Sequence, residues 1–213
     1  MDKKLKLEKT RVYISEISKD TSVADVYPSE RADEIANTSN EKARAEKYFA
    51  WRLLEHAISD CFGVKIDEIV FSKKENGRWC ADGFDFSLSH SDGVCAVAIS
   101  DSSVGVDIQR ISAPRSNSFA KRILSEAEFE ELYDLTEDSR EEYLILKWCE
   151  KEAIFKSRNL AVFIPKETAI DSNCKIKTEF LTIGEKRYVL SVCASLDYKN
   201  VEFHFLKKGI ADK

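Results

Sequence analysis

Glu152 and Lys156 stand four residues apart in Trp148-Cys149-Glu150-Lys151-Glu152-Ala153-Ile154-Phe155-Lys156. On a helix that spacing puts a carboxylate and an ammonium on one face, together with Trp148. Such a face can hold a cation and offset anionic charge, although a Glu/Lys pair alone is equally an ordinary surface ion pair. A second carboxylate, Asp107, lies inside the β-branched run Val104-Gly105-Val106-Asp107-Ile108. An unpaired carboxylate is costly to bury, so it needs a bound cation, a neighbouring lysine or a backbone amide. The third segment, Phe86-Ser87-Leu88-Ser89-His90-Ser91, gathers hydroxyls around one of the chain's three histidines. It reads as a turn able to hydrogen-bond phosphate oxygens, or as a structural histidine in a polar setting.

The elements that must carry these segments follow from periodicity and punctuation. Residues 10 to 17 alternate as a strand, and the polar stretch around Pro28 reads as loop with a short helical turn. Residues 41 to 60 place Tyr48, Trp51, Leu53, Leu54 and Ile58 at helical spacing behind an Asn40 cap. A short strand is expected at 67 to 72, then a turn-rich segment. Next come two strands, VCAVAIS and SVGVDIQRI, joined by Asp101-Ser102-Ser103 as a hairpin with Asp107 in mid-strand. Ser125 and Glu128 form a capping box, a helix runs from about Arg140 to Ser157, and the tail supplies strands near 187 to 194 and 201 to 206. This order predicts an α+β fold of two halves, 1–103 and 104–213, sharing a cleft.

Composition narrows the function classes. With 213 residues and 43% hydrophobic content the chain can bury a sizeable core. It has no apolar run of membrane-spanning length, and its charged start MDKKLKLEKT lacks the pattern of a signal peptide, so a cytoplasmic protein without membrane contact is expected. A net charge of −5 offers no general basic field for nucleic acid. The six cysteines (Cys61, Cys80, Cys95, Cys149, Cys174, Cys193) have no metal-site spacing and read as reduced core residues.

Taken in order, FSLSHS (86–91), VGVDIQ (104–109) and WCEKEAIFK (148–156) resemble the three motifs of the Sfp-type 4′-phosphopantetheinyl transferases, with Gly77-Arg78 where that family tends to carry Gly-Lys. The resemblance spans about Glu30 to Lys156. It implies two similar α+β halves packed as a pseudo-dimer with the active site between them. It also implies transfer of the phosphopantetheine arm of coenzyme A to a serine of an apo acyl or peptidyl carrier protein, with release of 3′,5′-ADP and dependence on Mg2+. Carried over residue by residue, Asp107 and Glu152 hold the metal with Gln109 beside them, and Glu152 takes the serine proton. Lys156 neutralises the pyrophosphate. Ser89, His90, Lys151 and the basic residues Arg31, Arg44, Lys47 and Arg78 contact coenzyme A. Three positions depart from the pattern: Gln109 replaces an acid, Trp79 a proline, and Glu34 a basic residue. The first raises an alternative, a coenzyme A or carrier-protein binding module with little or no turnover. The stretch 112–124, with Arg115, Phe119, Lys121, Arg122 and Leu124, is the expected docking surface for an acidic carrier of fatty acid or secondary metabolite biosynthesis. A monomer is expected, because one chain holds both halves.

Overall fold

The computed structural model describes residues 6–18, 25–112, 117–169, 175–195 and 201–206. Strand β1 (Thr10–Glu16) is followed by helices α1 (Ser29–Ala36) and α2 (Glu41–Phe62). Four strands come next, β2 (Phe71–Lys73), β3 (Trp79–Ala81), β4 (Asp85–Ser91) and β5 (Val94–Ser100), and then β6 (Val104–Arg110). Helices α3 (Asn117–Ile123), α4 (Glu126–Asp134) and α5 (Glu137–Arg158) precede β7 (Lys175–Ile183), β8 (Lys186–Ala194) and β9 (Val201–Leu206).

Local chemistry accounts for the long helices. Asn40 caps α2 by accepting a hydrogen bond from the Ala43 amide, and Gly63 ends the helix at a φ of 66°. At α4, Ser125 and Glu128 exchange both bonds of a capping box. Helix α5 closes on Asn159 in the left-handed conformation.

Strands β4-β5-β1-β9 form one sheet, in that order, and β6-β8-β7 another; β2 and β3 make a separate small ribbon. All of β5 is buried because its two faces meet different layers. Cys95, Val97 and Ile99 pack with Phe49, Leu53 and Trp51 of α2. Val94, Ala96 and Ala98 pack with Val104, Val106 and Ile108 of β6 and with Leu190 and Val192 of β8. The layers therefore run α2, first sheet, second sheet, α5, the last packing through Ile145, Cys149, Ala153 and Ile154.

Three expectations change. VCAVAIS and SVGVDIQRI are strands, but they do not form a hairpin: β5 pairs with β4 and β1, and β6 with β8. Residues 101–103 carry the chain from one sheet to the other, which apolar character on both faces of β5 requires. FSLSHS lies within strand β4 rather than forming a turn. The stretch 67–72 opens as a 3-10 turn at Ile66–Glu68 and becomes strand only at Phe71. Arg115 and Cys174 lie outside the described residues; the other five cysteines are free, and Cys95, Cys149 and Cys193 are buried. No described helix is long and apolar enough to cross a membrane.

Candidate active site in the seam between the sheets

The site is built on three lengths of chain that alternate or repeat in step. Along β4, Asp85, Ser87, Ser89 and Ser91 share one face, as every second strand residue must. Along β6, the amides of Val104, Val106, Ile108 and Arg110 point away from the β8 ladder and need acceptors. Asp85 takes the Val104 amide at 2.9 Å, and the three serine hydroxyls take the other amides at 3.0, 3.1 and 3.0 Å. Side chains of β4 thus complete the free edge of β6 and join the two sheets.

The opposite alternation of β6 faces α5. A Cβ on Gly105 would lie 2.0 Å from the Ala153 carbonyl oxygen and 2.5 Å from the Ser157 amide nitrogen, so only glycine permits this approach of strand to helix. Two residues on, Asp107 meets the same helix face. It is 1% exposed, and three side-chain donors reach its two oxygens. Lys156 Nζ and Ser89 Oγ each lie 2.7 Å from Oδ1, and Gln109 Nε2 donates to Oδ2 at 2.9 Å. Lys156 also donates to the Val106 carbonyl at 3.1 Å, and the Cys149 thiol to the Asp107 carbonyl at 3.1 Å. Cys149, Ala153 and Lys156 are spaced at three and four residues, which is why one face of α5 reaches all of these groups.

Glu152 has no hydrogen-bond or ion-pair partner among the described residues. Burial raises its carboxyl pKa; the charge of Lys156 works the other way, and that of Asp107 adds to the rise. Burial works against the charge of Lys156, yet Asp107 and Glu152 outweigh it and hold the ammonium pKa above its usual value. His90 points from the other face of β4 toward α2, with Nδ1 3.2 Å from Glu46 Oε2. Burial lowers its pKa, Glu46 opposes this, and Lys156 reinforces it. A neutral imidazole at neutral pH is the result.

The remaining expected residues divide. Arg44 and Lys47 lie in the first turns of α2; Lys47 donates to Thr38 Oγ1 at 3.1 Å, and the Arg44 side chain has no partner among the described residues. Arg31 is buried, its guanidinium 4.8 Å from the Trp51 ring and paired with Glu34 at 2.9 Å. Burial lowers its pKa to about 10. One expectation is corrected. Lys151 does not face the site: its ammonium, 3% exposed, is held by Glu128 at 2.6 Å and by the carbonyls of Ile123 and Pro165 at 2.8 and 3.0 Å. That satisfies the charge completely and ties α5 to α3 and α4. The Ser89 hydroxyl donates to Asp107 Oδ1 at 2.7 Å while accepting the Ile108 amide at 3.1 Å. Asp85, Ser87, Ser91, Gly105 and Cys149 were not expected; the period-two run Asp-x-Ser-x-Ser-x-Ser was the available signal for the first three.

A cavity of about 350 Å³ opens along the seam beside Lys156, lined by Arg78, Trp79, Phe86, Leu88 and Phe155. The protein donors suited to a metal here are oxygens: the Glu152 carboxylate, the free lone pair of Asp107 Oδ2 and the amide oxygen of Gln109. Among the described residues no three His, Cys, Asp or Glu side chains converge as a metal cage. Two carboxylates and an amide fit Mg2+, which keeps waters and shares its shell with phosphate oxygens.

The fold and seam define an α+β protein in which a serine and an aspartate from two sheets meet a lysine from a helix beside an open cavity. Residues 103–201 match the model of the 4′-phosphopantetheinyl transferase superfamily. The chain is 31% identical over 107 residues to 4′-phosphopantetheinyl transferase psf-1 of Bacillus pumilus, covering 49% of this chain and 46% of that protein. It is 26% identical over 162 residues to 4′-phosphopantetheinyl transferase Sfp of Bacillus subtilis (strain 168), covering 67% and 70%. Over 58 residues it is 43% identical to a holo-acyl-carrier-protein synthase of Mycoplasma mobile, covering 26% and 51%. The chain spans about half the length of the first and third of these relatives and more of the second. Over these stretches the chain is similar to proteins named 4′-phosphopantetheinyl transferases.

Proposed function

We propose that this protein transfers the phosphopantetheine arm of coenzyme A to a serine of an apo acyl or peptidyl carrier protein, releasing 3′,5′-ADP in a Mg2+-dependent reaction. The observation that carries the reading is the meeting of Ser89, Asp107 and Lys156 at 2.7 Å contacts, one residue from each of the three motifs. Asp107, Glu152 and Gln109 are the residues that would hold the metal, which when bound offsets the charge of the pyrophosphate. Glu152, unpartnered and with a raised pKa, takes the proton of the attacking serine. Lys156, held in its charged form, sits where it stabilises the negative charge that develops as the pyrophosphate linkage breaks. Arg44 and Lys47 supply positive charge for the 3′-phosphate, and the cavity rings of Trp79 and Phe155 flank the rest of coenzyme A.

In this reading the two sheets, each with a 22-residue helix on its outer face, correspond to two halves of a pseudo-dimer, 1–103 and 104–213, with β9 of the second half crossing over to complete the first sheet. The protein works as a cytoplasmic monomer, with the carrier docking over α3, where Arg122 lies 5.5 Å from the Phe119 ring. The test is incubation with coenzyme A, Mg2+ and a panel of apo carriers, followed by intact-protein mass spectrometry. Phosphopantetheine mass on a carrier serine is expected, and no addition on any carrier overturns the reading. A second reading, a binding module without turnover, rests on Gln109, whose amide donates to Asp107 where a third acid would face the metal. Gln109→Glu separates the two: a silent parent made active by this change supports the module, and activity in the parent removes it.

His90 yields a prediction of its own. Its pKa is lowered in the free protein, whereas a phosphate beside it favours the imidazolium and raises the pKa. Coenzyme A binding is then expected to take up a proton, and affinity to fall as pH rises through the pKa of the bound state. Calorimetry in buffers of different ionisation enthalpy measures the uptake. Equal apparent enthalpies in all buffers, or the same uptake in His90→Ala, contradict the assignment.

A further inference from the structure

We propose that Arg78 is a positioning residue that clamps the three motif-bearing elements of the seam, rather than a contact for the phosphates of coenzyme A. The inference rests on the transferase reading and concerns how its site is held together.

Arg78 follows Gly77 at the mouth of the cavity, where a free guanidinium would be well placed for an anion. Both of its terminal nitrogens are already engaged. Nη2 donates to both carboxylate oxygens of Asp85 at 2.9 and 3.0 Å, to the Phe86 carbonyl at 3.1 Å and to the Val104 carbonyl at 3.4 Å. Nη1 donates to the backbone carbonyl of Lys156. That carbonyl lies in the last turn of α5, where it also accepts the Asn159 amide at 3.2 Å and where the macrodipole favours a cation. Its neighbour, the Ser157 carbonyl, accepts from Ser103 Oγ in the same way.

Asp85 extends the clamp, because Oδ2 also accepts the Val104 amide at 2.9 Å. One Arg–Asp pair therefore binds the start of β4, the start of β6 and the end of α5. Those are the elements carrying Ser89, Asp107 and the Glu152/Lys156 pair. The side chains of both residues are partly shielded, at 18% and 28% exposure, so removing one partner leaves the other charge poorly compensated. A planar guanidinium can serve Asp85 and the Lys156 carbonyl together; an ammonium at this position cannot reach both in the same geometry.

The test is a steady-state comparison of Arg78→Ala, Arg78→Lys, Asp85→Asn and the Arg78→Ala/Asp85→Asn double variant, with coenzyme A and an apo carrier that the parent modifies. Misplacement of the catalytic groups is expected to lower kcat about 100-fold in Arg78→Ala, with KM for coenzyme A little changed. Arg78→Lys is expected not to restore kcat. Asp85→Asn is expected to lose as much as Arg78→Ala, and the double variant no more than either, because they share one interaction. A phosphate contact predicts the reverse, and any of these results overturns the proposal: a KM raised with kcat kept, rescue by lysine, or tighter coenzyme A binding in Asp85→Asn. Urea denaturation of the same four variants reads the Arg78–Asp85 coupling without activity. Additive losses of stability there also overturn the clamp, whereas a parent inactive on every carrier counts against the transferase reading alone.

Discussion

Glu152→Gln is expected to lower the rate of carrier modification about a thousand-fold, as loss of a well-placed general base and metal ligand does. The fold should not suffer. Among the described residues nothing in the protein pairs with this carboxylate, and burial has already raised its pKa, which means that the folded state disfavours its charge. The sign follows from that shift. A carboxyl with a raised folded-state pKa destabilises the native state above its unfolded-state pKa, and a neutral amide removes the penalty. Thermal denaturation near neutral pH should therefore find the variant as stable as the parent or slightly more so. A Glu152→Gln protein with near-parent rates, or one that loses its fold, contradicts the role given to this residue.

The second large effect belongs to a residue that touches no ligand. Gly105→Ala places a methyl group 2.0 Å from one backbone atom of α5 and 2.5 Å from another, and neither can rotate away. Strand and helix must separate, at a cost of about 3 kcal/mol, or roughly 10 °C in Tm for a chain of this size. The separation also draws Lys156 from Asp107, so any folded fraction should lose activity beyond its loss of stability. Scanning calorimetry with a rate assay on the folded protein checks both. An unchanged Tm would show that the close approach of β6 to α5 is not needed.

Much of the site was legible in sequence because its chemistry is concentrated in short runs with strong periodicity. The Glu152/Lys156 spacing declares a helix face, and Val-Gly-Val-Asp-Ile declares a strand with a carboxylate that needs partners. The partners themselves were less visible. A solvated lysine and a buried one look alike in sequence, so Lys151, enclosed by Glu128 and two carbonyls, could not be told from a phosphate ligand. FSLSHS reads as a turn because hydroxyl-rich runs usually are. Here the hydroxyls lie on a strand because β6 presents unpaired amides to them at every second residue. The false hairpin has a similar origin: the three residues 101–103 have the length of a hairpin loop, and only the burial of both faces of β5 shows that a second layer must follow. Local rules recovered the elements, while the registry between the sheets depends on pairings that no local window contains.

One such pairing bears on how the chain reaches this state. Strand β9 lies parallel to β1, with Thr10 opposite Val201 and Ser15 opposite Leu206. The first sheet is therefore closed by almost the last described residues. On a ribosome β1, β4 and β5 emerge long before their fourth strand does, and so large a loop is entropically slow to close. An edge of β1 remains open in the meantime, as a place where a nascent chain can pair with the wrong partner.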